Sequence, residues 1–193
     1  MNNRLREQAN YAAIILNSVF MRGPSAWDFT GNHPIETSVR INGKYLDSNE
    51  LGNFATQAKR NGQYDAAIGA YSNIFVAYTN LGERIPVMHA RGFFKVLVSA
   101  NFFQLAFSLV CTVYADMEKS SRVNVYEGEL FRDYFRGLRA IAIEAIDHDD
   151  MTCVREFAKN YSGQSYYKLC RSETEIIKDL QTIREQARKI YSM

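Results

Sequence analysis

The stretch Leu51-Gly-Asn-Phe-Ala-Thr-Gln-Ala-Lys-Arg-Asn-Gly-Gln-Tyr-Asp-Ala-Ala-Ile-Gly-Ala-Tyr-Ser-Asn-Ile74 decides how this chain folds. Leu51, Phe54, Ala55 and Ala58 recur at the spacing of one apolar helix face, and Tyr64, Ala67, Ile68, Tyr71 and Ile74 repeat that spacing further on. Between the two runs stands Gly62, a residue that takes positive φ at no steric cost and so lets the chain reverse. The pattern predicts two helices folded back on one another. Asp47 or Ser48 caps the first, which runs to about Asn61, and Tyr64 to about Asn80 form the second.

Helical patterning extends outward from this pair. On the N-terminal side, Leu5, Ala9, Ala12, Leu16 and Val19 alternate steps of four and three, predicting a helix from about Asn3 to Phe20. Between the two helical regions, from about Met21 to Asp47, Gly23, Pro24, Gly31 and Pro34 break the pattern. Inside that segment Asn42-Gly43 separates short alternating runs, the signature of a type I′ hairpin turn. A lone hairpin is marginal, so it is expected to lie on the helices with Trp27 and Phe29 as anchors. On the C-terminal side, Leu81-Gly82 ends the second helix and Pro86 opens the next in its first turn. Asn101 marks a further turn before a helix from Phe102 to about Lys119. Helices are expected over about Arg122–Ile146 and Met151–Tyr161, with Asp147-His-Asp-Asp150 as a polar turn. Ser172-Glu-Thr-Glu175 reads as a capping box for a last helix striped by Ile176, Leu180, Ile183, Ala187 and Ile190.

The order Leu51, Phe54-Ala55, Ala58, Gly62, Tyr64, Ala67-Ile68, Tyr71, Ile74 resembles the tetratricopeptide repeat. A second, degenerate copy runs through Ala90, Phe93-Phe94, Leu97, Asn101, Phe103, Ala106-Phe107, Val110 and Val113. Ala106 follows Ala67 by 39 positions, against roughly 34 in the family, and Phe94 stands where the family has a small residue. A third copy around Asp147 to Phe157 keeps only the helix-turn-helix pattern. The resemblance covers about residues 48–118. It implies a concave surface made by the first helix of each pair, which holds an extended peptide or a partner's helix. The groove-facing positions it implies are Asn49, Gly52, Thr56, Lys59 and Arg60, then Met88, Arg91, Lys95, Val98 and Ser99. Arg91 and Lys95 are one turn apart on one face, and with Lys59 and Arg60 they line a basic groove suited to a carboxylate or an acidic peptide.

Composition restricts the alternatives. The 193 residues carry 23 basic and 21 acidic side chains, so no overall basic excess points to nucleic acid. Cys111, Cys153 and Cys170 are odd in number and widely spaced, which suits reduced thiols in a reducing compartment. Arg4, Arg6 and the apolar run Tyr11–Met21 sketch a secretory leader. Glu7 and the interruption at Asn17-Ser18 argue against it, so a cytoplasmic location is the expectation. No run is long enough to span a membrane.

Chemistry-bearing motifs are sparse. Asp147 to Asp150 offers oxygen and imidazole ligands, but it lacks the glycine and terminal glutamate of a calcium loop and suits a helix start. His33, His89 and His148 form no recognisable pair. No catalytic residue, metal site or cofactor is expected.

These readings combine into one expectation. The chain is an all-α single domain over 1–193, built of antiparallel helix pairs. Residues 1–47 give an N-terminal helix and an irregular segment or small hairpin, 48–118 a short right-handed tetratricopeptide-like array, and 119–193 C-terminal helices. The expected function is a non-catalytic interaction scaffold for a protein or acidic peptide. Two alternatives stay open: an assembly subunit that forms a homodimer through its terminal helices, and a small enzyme or ligand-binding α-domain with a pocket near His89.

Overall fold

The computed structural model describes residues 3–22, 26–31, 33–119, isolated positions between 133 and 159, and 173–191. Of these, 74% are helical, but two small sheets mean that the all-α expectation holds only approximately. Three of their four strands come from the segment between the first two helices, and the fourth lies just before the helix that begins at Val87. By spatial clustering the chain divides into two compact units, residues 1–109 and 110–193.

The first unit begins with α1 (Asn3–Met21), which buries Ala9, Ala12, Ile15, Leu16 and Val19 as one stripe. It packs on α3. After α1 come β1 (Trp27–Asp28) and a hairpin of β2 (Glu36–Ile41) with β3 (Lys44–Asp47). Asn42 and Gly43 form the turn with φ of 50° and 84°, the double positive φ that a two-residue hairpin of this twist requires. The ladder pairs Arg40 with Tyr45 and Ile41 with Lys44, and the register shifts between Glu36 and Arg40. Strand β3 runs directly into α2 (Ser48–Arg60). Asp47 caps that helix through the backbone N–H groups of Asn49 and Glu50, and Glu50 returns a bond to the Asp47 backbone. This is a capping box with aspartate in the serine position. Ser48 is fully buried. It ties the hairpin to the helices through the Ile35 backbone and the Tyr78 hydroxyl.

Helices α2, α3 (Tyr64–Asn80) and α4 (Val87–Ser99) all end in the same way. At the end of α2, Gly62 N–H bonds to Lys59 O and Gln63 N–H to Ala58 O. At the end of α3, Gly82 N–H bonds to Thr79 O and Glu83 N–H to Tyr78 O. At the end of α4, Asn101 N–H bonds to Val98 O and Phe102 N–H to Leu97 O. Each is the paired 5→2 and 6→1 closure that satisfies the orphan carbonyls of a helix end. It needs positive φ at one residue, met here by Gly62, Gly82 and Asn101 at 74°, 69° and 64°.

Ala55 and Ala67 are fully buried where α2 meets α3, and their small side chains let the two backbones approach. The larger residues fill the space behind. Tyr71 stacks on Phe93 at 5.5 Å between ring centroids, Phe75 meets Phe93 edge-on at 5.3 Å, and Trp27 meets Phe75 edge-on at 6.0 Å. Trp27 is 2% exposed because β1 pairs in parallel with β4 (Ile85–Pro86), just before α4. The predicted anchoring by tryptophan therefore works through a strand pair that the sequence pattern did not signal.

Helix α5 (Phe103–Lys119) starts in the first unit and continues into the second. In the second unit Val110, Cys111 and Val113 of α5 are buried, as are Ala140, Ile141 and Ala142 in a helical stretch around 139–144. The C-terminal helix spans Glu173–Tyr191 and buries Leu180. The polar turn at Asp147–Asp150, Cys153, Cys170 and the Ser172 cap lie outside the described residues. No described helix is long and apolar enough to cross a membrane.

Candidate partner-binding cleft

Helix α3 touches both α2 and α4, and α2 touches α4. Between α2 and α4 lies a cleft of about 580 Å³. Asn49, Thr56, Lys59 and Arg60 of α2, and Met88, Arg91 and Lys95 of α4, all line it. The structure thus brings the seven candidate residues to one place. Gly52 lines it too, whereas Val98 and Ser99 do not.

The register of the two helices follows from two close approaches and from the residues that line the cleft. A Cβ on Gly52 would sit 3.4 Å from Nδ1 of His89. One turn on, Thr56 of α2 and Gly92 of α4 line the cleft together with Tyr71 of α3, whose hydroxyl lies against Gly92. The next turn carries Lys59 and Arg60 on α2 and Lys95 on α4. The helices therefore advance along the cleft in the same direction, turn for turn. One end of the cleft is neutral, with Asn49, Asn53, Met88 and His89. Its middle holds Thr56, Tyr71 and Arg91, and its far end is cationic.

Gly92 is required at its position. A Cβ there would lie 2.6 Å from Tyr71 Cζ and closer still to its hydroxyl oxygen. Only a glycine lets the tyrosine reach the cleft between the helices. Burial pushes the Tyr71 phenol above its ordinary pKa, so it stays a neutral hydrogen-bonding group. His89 is 3% exposed, and desolvation pulls its pKa from 6.5 down to about 4, with the Asp47 charge opposing in part. It is neutral at pH 7. Its Nε2 and the Asn49 Oδ1 are buried with no hydrogen-bond partner.

The electrostatics are one-sided. Among the described residues the lining contains Lys59, Arg60, Arg91 and Lys95 and no carboxylate. Of the acids at the start of α2, Asp47 caps the helix and Glu50 is paired with Lys44. A concave surface with one sign of charge concentrates ligands of the other sign. Among the described residues no group of three or more His, Cys, Asp or Glu side chains is arranged to hold a metal ion.

Sequence reading had placed His89 beside the groove but missed Tyr71, Gly92, Asn53 and Val96. Gly92 carried a faint signal, a glycine inside a helix that otherwise alternates apolar and basic residues. No protein-family model, curated protein or solved structure matches the chain.

Proposed function

We propose that the chain is a non-catalytic protein-interaction module that holds an acidic peptide segment of a partner in the cleft between α2 and α4. The pairs α2/α3 and α4/α5 are read as successive units of a short right-handed tetratricopeptide-like array, flanked by α1 and the C-terminal helices. One observation carries the functional reading: four cationic side chains from two helices line a single cleft in which no carboxylate stands among the described residues. Solvated charges on unrelated helix faces would have been free to point apart. The same residue types on α2 also complement its C-terminal dipole, but that does not account for Arg91 and Lys95, which precede the last turn of α4.

The test is fluorescence anisotropy with labelled glutamate-rich peptides and their glutamine-substituted equivalents. The glutamate peptides are expected to bind more tightly, to weaken as salt rises, and to lose at least about tenfold in affinity to the Arg91→Glu/Lys95→Glu variant. Circular dichroism checks that the variant is folded. Undiminished binding by the folded variant would sink the proposal.

A further inference from the structure

The cleft carries its charge over a short length. Arg91 and Lys95 are four residues apart on α4, roughly 6 Å of axial rise, and Lys59 and Arg60 of α2 stand level with Lys95. All four cationic residues thus share about one helical turn of the cleft. An extended peptide sends side chains to one face only at every second residue, about 7 Å apart. Over this length it directs one side chain, or two at the limits, toward the cations. Each aspartate or glutamate brings a single negative charge, so an unmodified peptide leaves much of the positive charge unanswered.

Nor is that charge answered within the molecule. Lys59 and Lys95 are half-buried, and with Arg60 they form no ion pair with a described residue. Tyr71, at the floor, stays a neutral phenol because burial raises its pKa, so it adds no negative charge. Like charges held together where water is partly excluded repel one another more strongly than in bulk water. The anion that relieves this best concentrates charge on one side chain. A phosphorylated residue does so, with about −1.5 to −2 charges at pH 7 and three strong acceptor oxygens. Lysine and arginine are its natural complement, since they offer three and five N–H donors and no acceptor.

The geometry points to a phosphoryl seat: the cleft takes a phosphorylated side chain of the partner segment between Lys59 and Arg60 of α2 and Arg91 and Lys95 of α4. This rests on the interaction reading above and names the acidic group it accepts. Binding then becomes switchable from the partner's side, because phosphorylation turns a neutral hydroxyl into the group that the four cations hold.

Labelled peptides of one otherwise neutral sequence test this by anisotropy with the full chain. At a single position they carry serine, glutamate, phosphoserine or phosphotyrosine, and a fifth carries two glutamates two positions apart. At least one phosphopeptide is expected to bind roughly tenfold tighter than the single-glutamate peptide, the worth of an added charge-assisted hydrogen bond, and tighter than the charge-matched glutamate pair. Lys95→Gln should weaken the phosphopeptide more than the single-glutamate peptide. The peptide series in wild type stands whether or not that variant folds. Inorganic phosphate should compete only far above the phosphopeptide's dissociation constant. Competition as strong as the peptide's own binding would make free phosphate the ligand and overturn the peptide assignment. Phosphopeptides that bind no tighter than a glutamate pair that itself binds would overturn the phosphoryl seat and spare the interaction module. Failure of every acidic and phosphorylated peptide to bind would overturn both.

Discussion

Replacing Gly92 by alanine tests whether the floor of the cleft is built as described. In an exposed helix the change would stabilise by about 1 kcal/mol, because alanine loses less backbone entropy and is the better helix former. Here the added methyl would lie 2.6 Å from Tyr71 Cζ, well inside van der Waals contact. The ring cannot retreat, since Tyr71 is 4% exposed and stacked on Phe93. Overpacking of this kind costs about 2–3 kcal/mol. The difference leaves Gly92→Ala less stable than wild type by about 1–2 kcal/mol. Urea denaturation should show a lower midpoint with an unchanged slope. In a Tyr71→Leu background the obstacle is gone, so the same alanine should become neutral or stabilising. A Gly92→Ala protein as stable as wild type, or the same cost in both backgrounds, would refute the packing argument.

Two further outcomes follow from single side chains. His89 has its pKa lowered in the folded state, so the unfolded chain takes up its proton first as pH falls. Its contribution to stability is therefore complete above 6.5 and declines down to about 4, by up to about 3 kcal/mol. Urea midpoints at neutral pH and near pH 4 should differ less in His89→Leu than in wild type, and equal differences would rule out a buried neutral histidine. Asp47→Ala removes the acceptor for the first-turn N–H groups of α2. A loss of about 1–2 kcal/mol in thermal or urea unfolding is expected, and no loss would mean that the capping box contributes little.

What was legible in the sequence was local. The helix pair α2/α3 could be read from apolar spacing because burial of one face repeats with the helical period. Gly62, Gly82 and Asn101 could be read as helix ends because the closing bonds span only a few residues. Asn42-Gly43 gave the hairpin for the same reason. The basic positions of the cleft were also visible, since Arg91 and Lys95 share a face of one helix.

Tertiary structure decided the rest. Strand β1 pairs with β4 through residues far apart in the chain, and two-residue strands carry too few side chains to show an alternation. Phe94, the large residue at a position where the resemblance expects a small one, is 1% exposed; only the packing could show that it fits. Periodicity specifies which face of a helix is buried but not how far one helix slides along another. That register set Gly52 over His89 and Gly92 against Tyr71, and it divided the cleft into a neutral and a cationic end. The burial that holds His89 neutral comes from side chains brought together by the fold, so no local pattern in the sequence encodes it.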